Sequence, residues 1–135
     1  MSIIWIYLVS AVAFLGVDAV WLRNVMSPLF YKHVGPLLRD EFRFEAALGF
    51  YAMYVAGILY FATLPALRAG LLSEAVIKGA LIGFMAYGTY EATNMTTLKG
   101  WTWSMVITDT AWGVFLTALT AVVGYLAAPY LGWKA

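Results

Sequence analysis

Long apolar stretches with very few charges constrain this chain more than any other feature of its sequence. A helix that crosses the roughly 30 Å hydrocarbon core of a bilayer needs about 20 mostly apolar residues, because each residue advances the helix by about 1.5 Å. Stretches that satisfy this requirement cover residues 3–22, 45–64, 75–95 and 103–126, and we expect Pro65 to end the second. The pattern predicts four membrane-spanning helices.

The composition supports the same conclusion. Of the 135 residues, 64% are hydrophobic and 11% are charged, whereas a soluble domain is about 45–50% apolar and about 25% charged. A small soluble domain leaves much of its surface in water and could not bury this much apolar surface. We therefore predict an all-α, polytopic membrane protein whose single integral membrane domain covers residues 1–135, with the lipid bilayer as its main partner.

Charge and residue counts exclude several function classes. A formal net charge of +1 gives no electrostatic basis for binding nucleic acid. Without cysteine the chain has no disulfide, no thiolate metal site and no cysteine nucleophile, and a single histidine, His33, excludes a histidine-rich metal centre. We predict no metal site and no cofactor.

The connections between the stretches differ in length. The first, RNVMSPLFYKHVGPLLRDEFRF, is interrupted by Pro28, Gly35 and Pro36, and its basic residues alternate with apolar ones. That pattern is typical of a segment lying on the membrane surface. The other two links are short, and short links make neighbouring helices antiparallel. The expected architecture is a four-helix antiparallel bundle with a surface segment between helices 1 and 2.

Basic residues predict the orientation of the bundle. We call the end that holds the first and third links the basic end, because it carries five Lys and Arg residues against three at the opposite end. The five are Arg23, Lys32, Arg39, Arg43 and Lys99, and the three are Arg68, Lys78 and Lys134. Because cytoplasmic loops carry an excess of Lys and Arg, the basic end is predicted to face the cytoplasm, with both termini outside.

Small and aromatic residues predict how the helices pack. Small residues recur every four positions at Gly79 and Gly83, and again at Gly113, Thr117 and Ala121. Such stripes let two backbones approach closely, either inside one bundle, which we favour, or between copies in a homo-oligomer. Aromatic residues near the predicted span ends are expected at the membrane interfaces: Trp5, Trp21, Tyr60, Trp101, Trp103, Tyr130 and Trp133.

Four acidic residues fall within or beside the predicted spans. Asp18, Glu45, Glu91 and Asp109 each belong to a different span, and the alternating helix directions place all four in the half nearer the basic end. A carboxylate at mid-bilayer costs roughly 2.5–3.5 kcal/mol and therefore normally faces the bundle interior or a wet cavity. Two such acids in contact can share a proton. Glu74, by contrast, is expected to pair with Lys78 one turn later.

Polar and aromatic residues surround these acids. Tyr87, Tyr90, Glu91 and Asn94 recur at helical spacing, which predicts one polar face on the third helix. Asp18 with Trp21 and Asp109 with Trp112 repeat the same Asp-x-x-Trp spacing. Chance or shared interfacial packing explains this repetition better than an inverted repeat. The candidate ligand-binding residues are Asp18, Tyr87, Tyr90, Glu91, Asn94, Asp109 and Trp112.

A purely structural interpretation stands beside the functional one. Asp18 would then pair with Lys99 or Arg23, Glu91 with Asn94 or a tyrosine hydroxyl, and Glu45 with Arg43. Interhelical polar contacts of this kind stabilise membrane bundles by roughly 0.6 kcal/mol each. We favour this interpretation for Glu45 and the functional one for Glu91 and Asp109.

Several motifs together resemble one bacterial family of small membrane proteins, the domain-of-unknown-function family 2177. The motifs are YGTYEATNMTTLKGW followed by DTAWG, with DAVWL, FYAMYVAG and PAL earlier in the chain. The resemblance covers nearly the whole chain and implies four membrane helices in a bacterial inner membrane, so that the outer termini would be periplasmic. Members are often encoded near enzymes that modify membrane fatty acids. The resemblance assigns no catalytic residue.

Three functional hypotheses remain open from the sequence. The first is a pocket near the cytoplasmic leaflet that binds or carries a small ligand or cation, with or without proton coupling. The second is a membrane-embedded enzyme of lipid or fatty-acid modification that uses Glu91 and Asp109 as an acid–base pair. The third is an accessory subunit of a larger membrane complex.

Overall fold

The computed structural model describes residues 2–37 and 44–134, and every regular element in that part of the chain is helical. The all-α prediction is confirmed. The α-helices are α1 (Ser2–Trp21), α2 (Ser27–Val34), α3 (Phe44–Ile58), α4 (Leu64–Ala69), α5 (Leu72–Thr97) and α6 (Trp103–Ala127). π-helical turns at Leu22–Met26 and Leu59–Thr63 and 3₁₀ turns at Gly35–Leu37 and Ala128–Leu131 extend or link them.

Three helical stretches of the described chain are long and apolar enough to cross a membrane. They are Ser2–Met26, Glu45–Ala69 and Trp103–Leu131. The fourth predicted span lies within α5, which is long enough at 26 residues but carries Glu74, Lys78 and Glu91. A fourth crossing therefore stays a prediction, as does the surface location of residues 23–44, of which Leu38 to Arg43 lie outside the described residues.

The prediction that Pro65 ends the second span is wrong. Helical structure continues through Pro65 to Ala69, and Pro65 occupies the first turn of α4. A proline inside a helix lacks an N–H and its ring clashes with the carbonyl four residues earlier. The π-helical turn Leu59–Thr63 directly before it widens the backbone, and the Leu64 N–H bonds to the Leu59 carbonyl. Local π adjustments of this kind accommodate proline in membrane helices.

Glycine ends this helical stretch five residues later. Gly70 adopts a left-handed backbone with φ of 69°, and its N–H bonds back to the carbonyls of Ala66 and Leu67. A glycine in the left-handed conformation is a common end of a helix, because its N–H can satisfy the last helix carbonyls. The chain therefore leaves the helix at Gly70 and turns back. Only one residue, Leu71, separates this turn from α5.

The small-residue stripes of α5 and α6 face each other, and the two helices pack in close antiparallel contact. A Cβ atom added to Gly79 would lie 2.8 Å from the Ala118 Cα, and one added to Gly83 would lie 2.9 Å from the Val114 Cα. Such distances leave no space for a side chain. The stripes therefore pack inside one bundle.

Helix α1 also runs antiparallel to α6. Gly124 lies against Ser10, and Gly132 lies near Ser2, so the beginning of α1 and the end of the described chain share one end of the bundle. The core between the helices contains Phe14, Val55, Ile58, Leu116 and other buried apolar residues. Many large apolar side chains point outward instead, including Val12, Phe84 and Ile107, which suits a lipid-facing surface.

Candidate functional site

A cavity of about 430 Å³ lies among α1, α3, α5 and α6, toward the basic end. Its lining is Asp18, Leu22, Ala47, Phe50, Tyr51, Tyr54, Ala86, Tyr87, Tyr90 and Asp109. Ligand pockets commonly measure about 300–1,000 Å³, so this space suits a small molecule. It brings two carboxyl groups from separate helices together with aromatic rings from two others.

Asp18 reaches the cavity from the last turn of α1. Its side chain is 4% exposed, and its Oδ1 atom accepts a hydrogen bond of 3.0 Å from the Trp112 indole Nε1 on α6. The Trp112 ring stacks face to face on Trp21, with ring centroids 4.2 Å apart and planes 2° from parallel. The Trp112 N–H therefore donates to Asp18, and stacking on Trp21 holds the Trp112 ring in place.

Glu91 and Asp109 form a carboxyl pair between α5 and α6. The Glu91 side chain is 0% exposed, and its Oε1 atom accepts a hydrogen bond of 2.9 Å from the Trp101 Nε1. The Asp109 carboxyl lies within hydrogen-bonding reach of Glu91. The other Glu91 oxygen, Oε2, is buried and has no donor partner. Two adjacent carboxylates repel each other, whereas a proton held between them supplies the missing donor.

Tyrosine rings form much of the cavity wall. Tyr51 and Tyr54 lie one turn apart on α3 and pack edge-on against Phe14, at centroid distances of 5.5 and 5.7 Å. The Tyr54 ring also packs edge-on to Tyr87, and the Tyr54 hydroxyl is 2.8 Å from the Thr117 Oγ1. These contacts fix the wall in one arrangement.

The predicted site residues divide into groups. Asp18, Tyr87, Tyr90 and Asp109 line the cavity, and Glu91 lies behind Asp109. Trp112 supports Asp18 but lines a separate apolar groove with Trp21. Asn94 lies within hydrogen-bonding reach of the Tyr90 hydroxyl and does not line the cavity.

Other polar residues considered from the sequence lie elsewhere. Glu45 is exposed on the first turn of α3 and does not line the cavity. The hydroxyls of Thr89, Thr96 and Thr97 donate to carbonyls of their own helix four residues earlier. They are exposed and supply nothing to the cavity.

The ion pairs proposed under the structural interpretation are mostly not seen. Among the described residues the one salt bridge joins the Lys78 Nζ to the Glu74 Oε2 at 2.8 Å, as predicted. Asp18 accepts from an indole rather than from Lys99 or Arg23. Glu91 likewise accepts from Trp101 rather than from Asn94 or a tyrosine. The suggested pairing of Glu45 with Arg43 falls on a residue outside the described part of the chain.

No metal-binding group of three or more His, Cys, Asp or Glu side chains is found among the described residues. The polar groups of the cavity are carboxyls and tyrosine hydroxyls. Their chemistry suits a positively charged or hydrogen-bonding organic ligand, because carboxylates attract cations and ring faces also attract them.

Comparison with known proteins identifies the family. Residues 3–126 match the family described as predicted membrane proteins, DUF2177. The chain belongs to this family. The resemblance inferred from the sequence motifs is thereby confirmed. No curated protein and no solved structure matches the sequence.

Sequence reasoning missed several residues of the site in this DUF2177 protein. Trp21 and Trp101 were expected at membrane interfaces, but they support the two acidic positions. Tyr51 and Tyr54 were not singled out. Their spacing of three residues within FYAMYVAG was the available signal, since it places two phenols on one face of α3.

Proposed function

We propose that this DUF2177 protein binds a small organic cation in the cavity between α1, α3, α5 and α6. The observation that carries the proposal is the lining itself. Two carboxyl groups, Asp18 and Asp109, share one small space with four tyrosines and a phenylalanine, and no Lys or Arg of residues 2–37 and 44–134 lines it.

Physical chemistry favours a cation with an apolar body. A carboxylate in a dehydrated site attracts a positive charge strongly, and an aromatic face adds about 0.5–2 kcal/mol of cation–π attraction. Leu22, Ala47, Phe50 and Ala86 supply apolar contacts in the same space. A quaternary ammonium group with a short substituent satisfies all three kinds of contact.

The carboxyl geometry favours binding over acid–base catalysis. An enzyme that used Glu91 and Asp109 as its acid and base would need both groups to reach the substrate. Only Asp109 of this pair lines the cavity, whereas Glu91 is wholly buried behind it. A changed fatty-acid or headgroup profile after gene deletion, reproduced by Glu91→Gln, would instead support the enzyme hypothesis.

Choline provides a direct test of the binding proposal. Calorimetry on the protein in lipid nanodiscs should detect choline, but not its neutral analogue in which carbon replaces nitrogen. Truncating one partner of a buried charge pair costs about 2–5 kcal/mol, so Asp18→Asn and Asp109→Asn should each weaken binding more than tenfold. Glu74→Gln, which removes a carboxyl outside the cavity, is the matched control.

Two results would contradict the proposal: equal binding of choline and its neutral analogue, or no binding of choline at all. Uptake of choline by proteoliposomes would further separate a carrier from a binding protein. Stable co-purification with another membrane protein, together with normal complementation by Asp109→Asn, would favour an accessory subunit.

The membrane arrangement is also part of the proposal. We place α5 across the membrane as a fourth span, because it packs along α6 and its outward face carries Val76, Ile77, Leu81, Phe84 and Met85, all exposed. The cavity would then lie within the leaflet nearer the basic end, in the inner membrane of a bacterium.

Orientation is testable because the chain has no cysteine of its own. With the basic end in the cytoplasm, Lys134→Cys should react with a membrane-impermeant thiol reagent in intact spheroplasts. Lys99→Cys should react only after permeabilisation. The reverse labelling pattern would place the termini in the cytoplasm.

A further inference from the structure

Glu91 has no place in the cavity lining, yet it is the most deeply buried acid of the described chain. Its side chain is 0% exposed and one of its oxygens lacks any donor. A buried oxygen without a partner costs about 1–3 kcal/mol, and more when the group is charged. The Asp109 carboxyl, which is itself part of the cavity wall, lies within hydrogen-bonding reach of Glu91.

A cation in the cavity changes the charge that the neighbouring carboxyl groups feel, and therefore affects their protonation. A positive charge close to a carboxyl group favours the ionised form of that group, so a cation that enters the cavity beside Asp109 favours the loss of a proton from the pair. If one proton leaves when one cation enters, the total charge within the site is unchanged. The Glu91–Asp109 pair is placed to release that proton, because one of its members faces the cavity.

We propose that Glu91 and Asp109 hold one proton between them in the empty protein, and that an organic cation entering the cavity displaces it. In the bound state Asp109 faces the cation as a carboxylate, Glu91 remains a carboxylate hydrogen-bonded to Trp101, and the proton passes to the solvent. The inference rests on the proposed cation binding. Glu91 acts as a positioning residue that couples binding to proton release.

Other ionisable groups near the pair belong to three helices. They are Asp18 on α1, Tyr51 on α3, and Tyr87 and Tyr90 on α5. Asp18 has its own indole donor from Trp112, so its carboxylate is stabilised without a second carboxyl. Glu91 and Asp109 differ from it in facing each other.

Calorimetry in two buffers with different ionisation enthalpies measures the exchange. The dependence of the observed heat on the buffer should correspond to release of about one proton for each choline bound to the wild-type protein. The Kd should fall about tenfold per unit rise in pH over the range in which the empty pair holds its proton. Choline binding with no proton release would overturn the inference while leaving the proposed function intact. Absence of choline binding would overturn both.

Variants of Glu91 separate coupling from structure. In Glu91→Gln the amide donates to an Asp109 that is already ionised, so choline should bind without proton release and with a Kd that does not change with pH. Glu91→Asp retains the carboxyl and should restore the release. Release of one proton by Glu91→Gln would contradict the role of Glu91, whereas the wild-type measurement stands even if a variant fails to fold.

Infrared spectroscopy tests the shared proton without any ligand. A protonated carboxyl group has a C=O stretching band that an ionised carboxylate lacks. The wild-type protein in lipid should show such a band, Glu91→Gln and Asp109→Asn should each lose it, and choline should remove it from the wild type. A band unchanged by both substitutions would show that the proton is not held by this pair.

Discussion

The close approach of α5 and α6 at Gly83 gives a sharp stability prediction. A Cβ atom at this position would lie 2.8 Å from the Gly113 carbonyl carbon and 2.9 Å from the Val114 Cα. Both neighbours are backbone atoms and have no rotamer to change. Favourable carbon contacts begin near 3.5 Å, so Gly83→Ala must push the helices apart by at least about 0.7 Å. The Gly113 carbonyl oxygen lies closer still to the added Cβ and also has to move.

That displacement sets how much stability the substitution removes. A gap of roughly 0.5–1 Å forfeits about a quarter to a half of each dispersion contact along the interface. Overpacking of this kind typically costs about 1–3 kcal/mol. We therefore expect Gly83→Ala to lower the free energy of unfolding by about 1–3 kcal/mol, although alanine is the better helix former.

Gly88→Ala on the same helix is the matched control. Its Cβ would meet only the Thr110 Cγ2, at an ordinary distance of 3.8 Å, so we expect a change within about 0.5 kcal/mol. Unfolding of both variants in mixed micelles with increasing SDS, followed by circular dichroism, gives the comparison. If Gly83→Ala proves as stable as Gly88→Ala, the two helices do not pack with this register.

Three further substitutions test individual contacts. Trp112→Phe keeps a ring for stacking but removes the N–H that partners Asp18. It should lower the free energy of unfolding by about 1–3 kcal/mol in the same SDS assay. Thr102 caps the N-terminus of α6, and its Oγ1 accepts a hydrogen bond of 3.3 Å from the Met105 N–H. Thr102→Ala should lower the free energy of unfolding by about 1 kcal/mol, whereas Thr102→Ser should stay close to wild type. Glu74→Gln breaks a half-exposed ion pair with Lys78 and should change stability by less than about 1 kcal/mol at any salt concentration.

Two of the helix positions followed closely from the local sequence. The predicted first span, residues 3–22, corresponds to Ser2–Trp21, and the predicted fourth, residues 103–126, corresponds to Trp103–Ala127. The length of an apolar stretch and the polar residues at its ends are visible in the sequence, so they predict a helix without knowledge of the helices that pack against it. Pro65 shows the limit of this reasoning, because the five-residue π-helical turn directly before α4 lets the helix continue past the proline.

The site was only partly predictable. Asp18 and Asp109 were expected in one half of the bundle because helix direction and residue number fix depth along the axis. Neither helix direction nor residue number fixes the rotation of a helix about its own axis. That rotation turned Glu45 outward, brought Tyr51 into the cavity, and placed Glu91 behind Asp109 rather than beside the empty space.

By itself, the sequence determined an all-α membrane protein with antiparallel helices, small-residue stripes for close packing, and acids gathered toward one end. These properties depend on hydropathy, spacing and chain direction, which are local. The tertiary structure alone decided that Trp112 partners Asp18 across two helices, that Trp101 partners Glu91 from the loop, and that the α5 and α6 acids meet. Such pairings depend on how far each helix is rotated when its neighbours pack against it, and packing is a property of the whole bundle.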